Sequence, residues 1–215
     1  MNTEQLIHAA RLMRIDPQEC AGNLDQSLTG VLNAFHSIYD AVQDNAAISI
    51  DWNEVPATST ILAIRNARHH NIANRIGSLE TYFTRPSDRA REKTYQLISF
   101  GPEPKPSAPS FMQALSWDDL THLLLLPRSV SRLGAERTER ISAYLNVTLV
   151  KSVSEIPAFF DILPLVVNAG KAAVSTVGSL VQPLSIEGET FLEHFSNVEA
   201  VDLSLLRSEI RTFPN

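Results

Sequence analysis

The feature that most constrains this 215-residue chain is an apolar repeat across residues 24–42. Leu24, Leu28, Val31, Leu32, Phe35, Ile38, Tyr39 and Val42 recur at spacings of three and four, the period of one helix face. The spacing predicts a helix over about 23–46, roughly 35 Å long at the rise of an α-helix. Helices of this length belong to bundles, because a long apolar stripe has to be covered by neighbours. A second long helix is expected over about 57–84. Ile61, Ile64, Ile72, Ile76, Leu79 and Phe83 mark its stripe, and Pro86 closes it.

The remaining chain reads as shorter helices. Leu6, Ile7, Ala10 and Met13 give residues 3–14 an amphipathic face that ends at Asp16-Pro17. Asp88 to Ile98 continues as a basic helix, and four prolines between Gly101 and Ser110 make a loop. Ser116 with Asp119 three residues on resembles a capping box for a helix from Trp117 to Leu126, stopped by Pro127. Another helix is expected over 129–145. Val147 to Val150 has strand character but fits a buried helix end equally well. Residues 157–183 predict one or two buried helices; Asp161, Pro164 and Lys171 interrupt them too often for a membrane span. One or two closing helices are expected over 189–211. The expected fold is therefore mainly α: a bundle with two long antiparallel helices, about 23–46 and 57–84, and additional C-terminal helices. Residues 1–126 are expected to form the bundle and 127–215 an extension on the same core, or the whole chain a single domain.

Charge sharpens this reading. The net charge is −6, which argues mildly against a dedicated nucleic-acid binder. Residues 65–93, however, carry Arg65, Arg68, Arg75, Arg85, Arg89, Arg91 and Lys93 against Glu80, Asp88 and Glu92. A locally basic surface on an acidic protein is still able to attract polyanions. The single cysteine, Cys20, excludes an internal disulfide, and residues 1–14 lack the apolar core of a signal peptide. A cytoplasmic location is expected, with no membrane association. There is no Gly-rich phosphate loop, no Cys-x-x-Cys pair, no His-Glu-x-x-His and no Gly-x-Ser-x-Gly. Nucleotide triphosphate hydrolysis, zinc proteolysis and hydrolase-elbow chemistry are unsupported.

The informative words are Ile64-Arg65-Asn66-Ala67-Arg68-His69-His70-Asn71. With Ile61 at the origin and about 100° per residue, Arg65 falls near 40°, Arg68 near 340°, His69 near 80° and His70 near 180°. Two arginines thus stand inside the apolar stripe of their own helix. Cations on a buried face must be paired or must line a cavity or an interface. One reading pairs them with acids of the first long helix, Asp40 and Asp44. The other makes a polar seam that holds a phosphate through guanidinium forks.

Arg65, Asn66 and His70 spell Arg-Asn-x-x-x-His, which resembles the signature of the HEPN superfamily of helical bundles, many of them metal-independent RNases. The resemblance covers roughly residues 23–84. In that family the motif lies on a helix packed against another long helix, and two copies meet across a dimer interface to build one active site. The resemblance implies an endoribonuclease that needs no metal or other cofactor, acting as a toxin or phage-defence effector. Its implied partners are RNA, a second copy of itself, and an antitoxin or defence-system protein. Arg65, Asn66 and His70 would be catalytic, with His69 as fallback, since Arg65 and His69 share a helix face and Arg65 and His70 do not. Arg68 and Arg75 would bind substrate. A polar residue of the preceding helix, His36 or Asp40, would support the motif. The Tyr found two positions beyond the His in some toxin members is replaced here by Ile72. The alternative is a non-catalytic helical interaction protein or subunit that keeps the bundle for binding.

Overall fold

Asp16 and Pro17 open the first long helix. Pro17 occupies the first helical turn, where its missing N–H costs nothing, and the Asp16 carboxylate accepts from the Glu19 N–H at 2.9 Å. The computed structural model describes residues 16–45, 51–70, 76–84, 94–102, 113–151, 155–180 and 182–212. The helix expected over 3–14 and the proline-rich stretch 103–110 lie outside the described residues.

Helix α1 (Pro17–Gln43) runs antiparallel to α2 (Pro56–His70), with Asn33 beside Arg65 and Asp25 beside Arg68. The pair of long helices expected from the sequence is present, but the second is shorter than the expected 57–84. The next described residues, 76–78, are not helical, and Ser78 bridges to Leu115 before the short helix α3 (Leu79–Thr84).

The mainly α expectation is wrong. The chain is an α/β protein with a four-stranded mixed sheet: β1 (Thr94–Phe100), β2 (Ala114–Ser116), β3 (Ala158–Asp161) and β4 (Leu206–Thr212), in the order β2-β3-β1-β4. β1 and β3 are parallel, and the outer pairings β2–β3 and β1–β4 are antiparallel. The basic helix expected through Ile98 is strand from Thr94 on, and the closing helix expected through 211 is strand from Leu206 on. Both strands escaped notice for a physical reason. β1 is covered on both faces, so its run Tyr95-Gln96-Leu97-Ile98 does not alternate apolar and polar. The only apolar residues of β4, Leu206 and Ile210, are four apart, a spacing that a helix face also gives.

Helices α4 (Trp117–Leu125), α5 (Pro127–Leu133), α6 (Ala135–Tyr144), α7 (Leu163–Val177) and α8 (Ile186–Asn197) complete the described elements. The Ser116 hydroxyl caps α4 at Asp119, as expected. The helix expected over 129–145 is broken in two at Gly134, whose φ of +92° suits glycine. Residues 145–149 are turns, neither strand nor helix end.

One apolar core runs from Leu28 to Leu203. It joins α1, α2, α4, α6 and α7 to one face of the sheet through Ile98, Leu115, Ala158 and Phe160. Residues 1–126 and 127–215 therefore contribute to the same core. The other face packs Tyr95, Leu97, Ala114 and Phe159 under Leu79 and Tyr82 of α3.

The chain enters β4 along a path fixed by Asn168 of α7. Its side-chain amide donates to the Val201 carbonyl at 2.9 Å and accepts from the Val201 N–H at 2.7 Å, pairing with the backbone as another strand would. The same amide also donates to the Tyr144 hydroxyl at 3.0 Å. Asn168→Ala leaves both Val201 groups unpaired, and at about 1–3 kcal/mol per unsatisfied group the expected loss is about 2–4 kcal/mol. Urea unfolding of the purified variant against wild type measures it.

Candidate functional site

The candidate site sits between α1 and the C-terminal half of α2. Along α2, Ala57 to Ile64 are all buried, whereas Arg65 is half-buried and Asn66 and His69 are exposed. Continuous burial thus gives way to alternation at the words that the sequence singles out, with Ala67 still buried. A cleft of about 110 Å³ opens there, lined by Thr29, Leu32 and Asn33 of α1 and by Arg65, Arg68 and His69 of α2. Residues 65, 68 and 69 share a helix face at spacings of three and four, so the structure brings together the three side chains that the helical angles grouped.

The two arginines are held differently. Arg65 donates from Nε to the Asn33 side-chain oxygen at 3.3 Å and from Nη1 to the Asn66 side-chain oxygen at 3.2 Å. Two amide oxygens thereby orient its guanidinium plane at the cleft wall. Arg68 reaches inward, with a side chain only 8% exposed. It donates to Asp25 at 2.6 Å and to the Ile76 carbonyl at 3.1 Å. The acid on α1 that neutralises it is Asp25, not the expected Asp40 or Asp44. Arg68 therefore ties α1, α2 and the segment 76–78 together. That segment is fastened further by the Gly77 N–H to Asp119 at 2.9 Å and by the Ser116 N–H to the Gly77 carbonyl at 2.8 Å. A substrate-binding role for Arg68 would compete with this structural one.

His70 ends α2, and its side chain lies outside what the structure describes, as does Arg75 altogether. His36 and Asp40 bond each other at 2.8 Å one turn apart on α1, and His36 lies edge-on to Tyr39. Neither lines the cleft. Among the described residues, no three His, Cys, Asp or Glu side chains are grouped closely enough to hold a metal ion, and no helix is long and apolar enough to cross a membrane. Sequence reasoning missed Asn33 and Thr29. The signal available was the polar Asn33 standing directly beside the apolar position Leu32.

No family model, no curated protein and no solved structure matches this chain. The functional reading rests on the geometry and on the resemblance of the motif.

Two further groups are electrostatically unusual. Arg137 of α6 donates to the Ser59 hydroxyl at 2.9 Å and to the Ser59 carbonyl at 3.1 Å, and its burial lowers its pKa. Asp161, at the end of β3, accepts from the Leu163 N–H at 3.0 Å, yet burial pushes its carboxyl from 3.8 up to about 6.

Two predictions follow from these side chains. Arg68→Met removes one member of a largely buried ion pair and the clamp on Ile76. The expected cost is about 2–4 kcal/mol in chemical denaturation, and Arg68→Lys recovers only part of it, because an ammonium lacks the planar fork that spans both acceptors. For Asp161 the folded pKa lies above the unfolded one, so the native state keeps its proton longer. Its contribution to stability falls as pH rises from about 4 to about 6 and stays at its least favourable above that. Asp161→Asn, which still accepts from Leu163, is expected to raise stability at pH 7.5 by about 1–3 kcal/mol and to make no difference at pH 3.5, measured as unfolding free energy at the two pH values.

Proposed function

We propose that the cleft between α1 and α2 binds a phosphodiester of RNA and cleaves it by attack of the neighbouring 2′-OH, the chemistry implied by the HEPN-like words Arg65-Asn66-x-x-x-His70. The observation that carries this reading is the shared cleft of Arg65 and His69, with the Arg65 guanidinium oriented by Asn33 and Asn66. A guanidinium held in advance is a fixed positive charge placed where a phosphorane gains negative charge. An exposed imidazole four residues on lines the same cleft, and imidazole is the side chain chemically suited to proton transfer near neutrality. In the reaction the 2′ oxygen bonds to phosphorus as its proton passes to a base. The P–O5′ bond then breaks as the departing oxygen takes up a proton, leaving a 2′,3′-cyclic phosphate and a 5′-hydroxyl. His69 is the better-placed histidine for one of these proton transfers within a single chain. His70 belongs to the motif and would serve across a two-fold pair of chains. On this reading the protein works in the cytoplasm as a homodimer, restrained by an antitoxin or defence-system protein. The likeness is one of the helix pair and its motif; the four-stranded sheet lies outside it.

A specific observation favours the second reading, a binding protein without catalysis. Arg68, one of the motif's neighbours, is spent on Asp25 and Ile76, so part of the basic patch serves packing.

The test is cleavage of a mixed set of RNAs, with product ends read by mass spectrometry. Wild type should give 2′,3′-cyclic phosphate ends. Arg65→Ala and His69→Ala should each lower the rate at least a hundred-fold with unchanged circular dichroism, and His70→Ala shows whether the second histidine shares the work. Intact RNA with wild type, or undiminished cleavage by Arg65→Ala, overturns the catalytic reading.

A further inference from the structure

The two edges of the sheet are not alike. β2 is three residues long and is bridged by Ser78. β4 is seven residues long and forms the opposite edge. The direction of its backbone groups follows from β1. The Gln96 N–H donates to Pro157 on the β3 side, and the Gly101 N–H to Leu205 on the β4 side. Alternate residues of a strand turn their N–H and C=O to opposite edges. Tyr95, Leu97 and Ser99 therefore face β4, and their partners Arg211, Glu209 and Arg207 face back. The N–H and C=O of Ser208, Ile210 and Thr212 are left pointing outward, and all three residues are exposed. Ile210 is 57% exposed, an apolar side chain in the middle of an otherwise polar edge.

We propose that this edge pairs antiparallel with β4 of a second copy of the chain, about a two-fold axis at Ile210, to make one continuous eight-stranded sheet. Charge favours a second copy as the occupant and excludes one register. A two-fold pairing centred on Glu209 would set Glu209 against Glu209 and Arg207 against Arg211, which repel. Centred on Ile210, each Glu209 faces the partner's Arg211. These are non-hydrogen-bonded positions, where opposed side chains lie closest. Glu209 already bonds Arg211 of its own chain, so four charges of alternating sign close into a square. On the other face, Ile210 meets the partner's Ile210 and Ser208 meets the partner's Thr212. Outward backbone groups of residues 208, 210 and 212 supply the hydrogen bonds. Five residues a side bury much less than a standard interface, so the dimer is weak and depends on concentration. The proposal is independent of the ribonuclease reading.

Sedimentation velocity from about 5 to 500 µM tests it, a range that brackets a weak association. Wild type is expected to pass from monomer to dimer. Ile210→Pro removes an outward N–H that β1 does not use; it should weaken dimerisation at least ten-fold with unchanged circular dichroism and melting temperature. Glu209→Arg and Arg211→Glu should each be monomeric alone and should dimerise when mixed, because mixing restores both cross-strand pairs. A wild type that stays monomeric throughout overturns the proposal, as does an Ile210→Pro variant that dimerises normally. Dimerisation of Arg211→Glu by itself overturns the Ile210 register, because a pairing centred on Ser208 would leave Arg207 facing Glu209.

Discussion

Everything else in this fold is arranged around a helix buried on all sides. From Ala57 to Ile64 no residue of α2 reaches solvent appreciably. α1, α6 and α7 all pack against it. Burial of this kind is stable only if the polar side chains within it are satisfied. The Thr58 hydroxyl donates to the Trp52 carbonyl and the Thr60 hydroxyl to the Pro56 carbonyl, both at 2.7 Å, and Ser59 accepts from Arg137. Arg137 brings a charge to the edge of the core to make that bond, and its lowered pKa is the electrostatic cost of doing so. The gain is positional. A helix gripped all round has one orientation, so the side chains emerging at its C-terminal end leave the core in fixed directions.

Those directions explain the division of labour between the two arginines. Arg65 and Arg68 are three residues apart and close in helical angle, and a sequence gives no reason to treat them differently. The structure separates them by depth. Arg68 faces the inside of the α1–α2 seam, where an unpaired guanidinium would be costly, and Asp25 and the Ile76 carbonyl compensate it. Arg65 is half-buried, and the Asn33 and Asn66 side-chain oxygens accept from it. Arg68 thus builds the wall against which Arg65 and His69 are displayed. Of the two alternatives that the sequence left open, Arg68 realises structural pairing, with Asp25 as the acid.

The legible parts of the fold were those whose signal is local. The α1 stripe, the Ser116 cap and the face shared by Arg65, Arg68 and His69 all follow from helical geometry and neighbouring residues. The sheet was not legible. β1 is buried on both faces, β2 and β3 are three and four residues long, and the two apolar residues of β4 are four apart, as on a helix face. Pairings such as Gln96 with Ala158 and with Ile210 join residues far apart in the chain, and no local period announces them. The same limit applied to the site. Asn33 and Asp25 become partners of the arginines only through the antiparallel packing of α1 on α2.

The charges of β4 show how a sheet edge can be exposed and still selective. Proteins commonly protect an edge strand with charge of one sign, which repels every register of self-pairing alike. β4 carries both signs in the order Arg207, Glu209, Arg211 on one face. Mixed signs cannot repel all registers: shifting the partner by two residues exchanges like for unlike neighbours. Such an edge resists the pairing centred on its acidic residue and admits those displaced toward either end. The apolar Ile210 then favours pairing itself, because either admitted register sets an apolar side chain, the partner's Ile210 or Leu206, against its exposed surface. An edge built only to stay unpaired would gain from a charge at that position; an isoleucine there is the residue that a specific partner strand would use.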